Sequence, residues 1–221
     1  MEFDWSPVLS SASFLLGGLE LTLLLSLCSV VMSLVVGTAL GLLRCYGPRP
    51  LQLAIAFYVD SMRAIPVLVV LVWTYFALPI LTGAVLPPFW AALVALTVHI
   101  AAYVAEIVRA GVSSIRTGQL WAATALGMSL WQALRTVILP QAVVRMLPAF
   151  GSVISIAIKD TAIASVIAVP EYMNRSQTVA GQSFHPIEVF TVAVAVYFLI
   201  LFPVTRIVDL VYGRLAHLGR S

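Results

Sequence analysis

Lys159, Asp160 and Thr161 place a cation, an anion and a hydroxyl at consecutive positions where a long apolar run stops. A zwitterionic solute needs such a complementary pair, and a hydrated helix end would leave the same trace. Glu20, Asp60, Arg63, His99 and Glu106 are further ionisable residues embedded in apolar sequence. Each is a candidate for function, because a charged side chain at mid-bilayer costs about 2.5–3.5 kcal/mol on insertion scales. Asp60 and Arg63 are three residues apart, as are Glu106 and Arg109, so each couple shares a helix face and suits a local ion pair at a membrane boundary. His99, alone in an apolar helix, is either a buried residue or a solute contact. The substrate-binding candidates are therefore Arg63, His99, Lys159, Asp160 and Thr161.

Other chemistries are excluded by what is missing. A phosphate-binding loop needs a Gly-Lys-Ser/Thr step, and the single lysine, Lys159, lies between Ile158 and Asp160. Any ATP used must be hydrolysed by another subunit. His99, His185 and His217 are too far apart for a His-Glu-x-x-His zinc site. The nearest approach to a nucleophile elbow, Gly181-Gln182-Ser183-Phe184-His185, lacks the second glycine. No catalytic residue, metal ligand or cofactor site is assigned to this chain.

The elements that position these residues follow from composition. Of 221 residues, 62% are hydrophobic and only 10% charged, too few to cover a water-facing surface. The fold class is an all-α polytopic membrane protein, one domain over residues 1–221, with lipid and not nucleic acid around it. A span needs roughly 20 apolar residues to cross about 30 Å of hydrocarbon. Five stretches qualify: about Phe14 to Leu43, roughly Ala54 to Leu81, about Pro88 to Val108, Thr136 to about Ile158, and Ile187 to about Val211. The second is interrupted by Asp60, Arg63 and Pro66, and Pro66 and Pro79 should loosen it. Arginines set the orientation, because basic loops stay in the cytoplasm. With the N-terminus outside and the C-terminus inside, Arg44, Arg49, Arg63, Arg109, Arg116, Arg135, Arg206, Arg214 and Arg220 all fall on the cytoplasmic side. The acidic start and the long first run exclude a cleaved signal. Cys28 and Cys45 read as free thiols.

The cytoplasmic loop over about residues 109–135 keeps Leu120, Ala123, Leu126, Gly127 and Leu130 at helical spacing. Its other face, Gln119, Thr124, Met128, Ser129 and Gln132, lacks the basic residues of a lipid-surface helix. A short neutral helix from Gly118 to about Trp131, docking into a protein groove, fits that pattern.

Within this loop Trp121-Ala122-Ala123 is followed by Gly127 and then by Val137-Ile138-Leu139-Pro140. That spacing resembles the Glu-Ala-Ala signature of the membrane subunits of ATP-binding-cassette importers, in particular the polar amino-acid uptake family, with Trp121 in place of the glutamate. Ala102 to Gly111, Arg63-Ala64-Ile65-Pro66 and Lys159-Asp160-Thr161 through Ile167 are similar to further elements of that family, in the same order. The opening Phe3-Asp4-Trp5-Ser6 leans toward its glutamate/aspartate branch. The resemblance implies a permease half in the bacterial inner membrane, paired with an identical or related permease and working by alternating access. It implies an ATPase dimer gripping Gly118, Gln119, Trp121, Ala122, Ala123, Leu126 and Gly127, with ATP and magnesium held on that partner. A periplasmic binding protein would deliver the amino acid. Gly127 would let another backbone approach closely. The competing readings are an ATP-independent transporter or channel using His99, Lys159 and Asp160, and a scaffold whose loop recruits a soluble protein.

Overall fold

The computed structural model describes residues 3–215; His217 and Arg220 lie outside them. The chain runs through α1 (Ser6–Ser10), α2 (Ala12–Tyr46), α3 (Arg49–Ala64), α4 (Val67–Val72), a π-helical turn (Trp73–Ala77), α5 (Leu78–Thr82) and α6 (Pro88–Ser113). After these come α7 (Thr117–Ala125), α8 (Leu130–Ala133), a second π-helical turn (Leu134–Ile138) and α9 (Leu139–Asp160). A 3₁₀ segment (Thr161–Ile167), α10 (Tyr172–Ser183) and α11 (Pro186–Leu215) complete it. No strand occurs among the described residues, so the chain is all-α, as its composition requires.

Four helices among the described residues are long and apolar enough to cross a bilayer, and the bent pair Arg49–Ala64 and Val67–Thr82 makes a fifth where it counts as one broken span. The bend corrects the expectation of a merely loosened second span: the chain turns by 107° between Ala64 and Val67. Ile65 is forced into extended geometry (φ −93°, ψ 132°) by the ring of Pro66, which also brings no N–H to continue the ladder.

α6 is the centre of the molecule and α2 lies along it. The buried face of α2 carries Thr22, Ser26, Ser29, Ser33, Gly37 and Gly41, small residues three or four apart. A Cβ added at Gly37 would stand 2.7 Å from the Ala101 carbonyl oxygen, and one at Gly41 2.7 Å from that of Ala105. The two backbones are in direct contact. Helices in lipid gain nothing from hydrophobic exclusion, so close van der Waals approach through small residues is what joins them. The Ser33 hydroxyl adds a hydrogen bond to the Thr97 carbonyl at 3.2 Å.

At the opposite end of α2 from the 109–135 loop, Glu171 is fully buried. Its carboxylate caps α10 by accepting from the backbone N–H of Met173 (2.9 Å) and of Asn174 (2.7 Å). The hydroxyls of Thr22 on α2 (3.2 Å) and Tyr197 on α11 (3.4 Å) donate to the same group. One carboxylate thus ties three helices. Glu171→Ala leaves those donors without an acceptor and is expected to lower stability by about 1–3 kcal/mol, read as a fall in the detergent unfolding midpoint, with Glu171→Gln recovering part of it.

Candidate functional site

The break after α3 throws Arg63, in the last turn of that helix, against α6 and the end of α9. There Arg63, Pro66, His99, Tyr103, Ile156 and Asp160 line one cavity of about 440 Å³. The Arg63 guanidinium carbon sits 5.8 Å from the Tyr103 ring centre, and the His99 and Tyr103 rings, one turn apart on α6, are 5.3 Å apart. His99 is only 5% exposed, and its Nδ1 has no hydrogen-bond partner among the described residues. A buried polar atom without a partner in the fold is costly, and this one belongs to a residue that lines the cavity. Tyr103 was not among the candidates, though its position four residues after His99 on one helix face announced it.

Three of the five candidates are thereby brought together and two are not. Successive helical residues point about 100° apart, since a turn holds 3.6 of them, and Lys159 accordingly faces elsewhere. It lines a separate cavity of about 300 Å³ between α9 and α11, with Ser152, Ser155, Thr205 and Asp209. Thr161 is fully buried, its hydroxyl donating to the Ile158 carbonyl at 2.7 Å. The cation that shares a cavity with Asp160 is Arg63, not the adjacent lysine.

The ionic couples also resolve. Arg109 grips Glu106 through two bonds of 2.6 and 3.0 Å, as the spacing suggested. Arg44 reaches the same carboxylate at 2.8 Å from the end of α2. Asp60 is paired with Arg44, at 3.9 Å, and not with Arg63, whose guanidinium lies over the Tyr103 ring.

In the loop, the expected single helix from Gly118 to about Trp131 is two helices joined by a tight turn. The Met128 N–H bonds the Ala123 carbonyl at 3.1 Å and the Gly127 N–H bonds that of Thr124 at 3.0 Å, the paired bonds that close a helix through a left-handed residue. Gly127 is that residue, with φ +78°. A Cβ there would meet nothing within 4 Å, so what this chain requires of the glycine is its backbone angle and not close approach. Ser129 and Gln132 then cap α8 reciprocally. Ala123 is buried against the rest of the chain, whereas Trp121 and Leu126 are 69% and 79% exposed. Gly118 and Ala122 are exposed and Gln119 half-buried. The loop thus offers an apolar knob with little of its own chain to touch.

Residues 29–217 match the family described as the binding-protein-dependent transport system inner membrane component. The chain is 36% identical over 216 residues to the glutamine transport system permease protein GlnP of Escherichia coli strain K12, covering 97% of each. It is 33% identical to the glutamate/aspartate import permease protein GltK of Escherichia coli O6:H1, covering 97% of this chain and 99% of that one. Among solved structures, a crystal structure of an amino acid ABC transporter with histidines superposes with a TM-score of 0.89 at 30% identity, over 97% of this chain and all of that one. The all-helical fold with its four to five candidate spans and these near full-length likenesses agree, and the chain belongs to the inner-membrane components of binding-protein-dependent transport systems.

Proposed function

We propose that residues 1–221 act as one permease domain of an ATP-driven amino-acid importer in the bacterial inner membrane and line half of its solute pathway. The observation that carries the reading is a guanidinium, a carboxylate and an unpartnered buried imidazole around one cavity at a broken span. Arg63 receives the α-carboxylate of the solute, Asp160 the α-ammonium, and His99 Nδ1 a polar atom of the solute or a water. A second permease subunit, identical or related, supplies the other half of the pathway. A periplasmic binding protein delivers the solute on the N-terminal side. On the cytoplasmic side two ATPase subunits, holding ATP and magnesium, grip α7 and the turn at Gly127. Closure of that ATPase dimer pulls on the loop, and alternating access follows as α9 and the break at Ile65–Pro66 shift around the solute.

Proteoliposomes test this. The chain together with its permease partner, its ATPase and the binding protein is expected to take up amino acid only when ATP is supplied on the ATPase side of the membrane; uptake by the chain alone would establish the ATP-independent reading instead. Asp160→Asn is expected to reduce uptake about tenfold, as loss of a charge-assisted bond does, with ATPase binding unchanged. Thermal stabilisation by a panel of amino acids should vanish in Asp160→Asn and Arg63→Gln and persist in Lys159→Ala. An equal response in all three would remove Asp160 and Arg63 from the site.

A further inference from the structure

At the loop end, the last turn of α2, the C-terminal part of α6 and the start of α7 enclose another cavity, of about 470 Å³. Arg44, Arg109 and Arg116 line it. Two of these guanidinium groups are held in place from behind by Glu106, at 2.8 Å from Arg44 and 2.6 Å from Arg109. Glu106 itself opens onto a neighbouring cavity, and no carboxylate among the described residues lines this one. Arg116, exposed, stands immediately before the first residue of α7. The lining therefore carries three cations, with Glu106 and the more distant Asp60 behind it.

The rest of the same wall is mainly apolar, with Ser113 and Thr117 the other polar residues. Val112, Ile115, Leu120 and Ile138 line it, and Tyr46 stands at its edge, where the membrane-spanning α2 ends. Leu43 and Tyr46 are exposed, so an exposed apolar surface of α2 runs up to the cavity. A free anion would use the arginines and leave the apolar half idle. An amphiphile with an anionic head uses both, as basic pockets between membrane helices do.

We propose that this cavity seats the headgroup of an anionic phospholipid, its phosphate between Arg44, Arg109 and Arg116 and an acyl chain along Leu120 and Ile138. The lipid bridges the end of α2 to the first turn of α7. This site is separate from the solute cavity and does not depend on what the importer carries.

Native mass spectrometry of the full chain, stripped of lipid and titrated with phosphatidylglycerol or phosphatidylcholine, tests it. One phosphatidylglycerol per chain is expected, retained at least about fivefold better than phosphatidylcholine, the preference that one basic residue near an anionic headgroup supplies. Arg116→Gln should lose most of that preference, and Arg135→Gln, an exposed arginine of the same loop outside the cavity, should keep it. Matching unfolding midpoints for the two variants secure the comparison. Equal retention of the two lipids, or equal loss in both variants, would overturn the proposal. Displacement of phosphatidylglycerol by millimolar inorganic phosphate would overturn it too, assigning the arginines to a soluble anion.

Discussion

Trp121→Ala combined with Leu126→Asp is expected to weaken ATPase binding by roughly 100-fold or more and to abolish solute-stimulated ATP hydrolysis, while the chain's own unfolding midpoint stays where it was. The two side chains are 69% and 79% exposed, so the fold has little to lose with them. Buried at an interface, a tryptophan is the residue type whose truncation most often costs about 2 kcal/mol or more, and an aspartate in an apolar groove adds an unpaired charge to the loss. The tryptophan stands where the family signature resembled by this loop has a glutamate, so the proposed grip would be apolar at that point. Calorimetric titration of the chain with its ATPase, beside hydrolysis assays on the reconstituted complex, measures both effects. Undiminished coupled hydrolysis in the double variant would mean that the ATPase is gripped elsewhere.

Gly37→Leu is expected to destabilise the chain by about 3 kcal/mol and to remove most of it from the membrane fraction. The reason is geometric. A side chain at this position enters the contact between α2 and α6, where the first added carbon already lies 2.7 Å from the Ala101 carbonyl oxygen. That oxygen belongs to backbone and cannot swing aside, so the helices must separate, and overpacking of this kind costs about 1–3 kcal/mol or more. Gly213→Leu is the control, since a Cβ there meets nothing within 4 Å. Equal detergent unfolding midpoints for the two variants would contradict the packing argument.

The spans were legible because apolar length is a direct physical requirement of the bilayer, and the family because the spacing in the 109–135 loop resembles a known signature. The rest depended on geometry that hydropathy does not carry. Apolar residues continue through Ile65 and Pro66, so the count saw one loosened span where the backbone turns by 107°. The small residues of α2 stood in view at three- and four-residue spacing from Thr22 to Gly41, but a test for apolar length treats glycine and serine as interruptions and not as a contact face. Lys159, Asp160 and Thr161 were grouped by adjacency, which helical rotation undoes. Glu171 was overlooked because ionisable residues were sought within apolar runs, and it lies between them. The second short helix of the loop was announced by Ser129 and Gln132, whose three-residue spacing is a helix start.

The seam between α2 and α6 has a mechanical consequence. Two backbones in direct contact cannot slide past each other without lifting the carbonyls of Ala101 and Ala105 over the neighbouring helix, and Arg44 and Glu106 cross-tie them at the loop end. The pair therefore behaves as a stator. Under the coupling proposed above, a pull at Trp121 would reach α9 through the turn at Gly127 and the π-helical turn at 134–138, and so the end of that helix at Asp160.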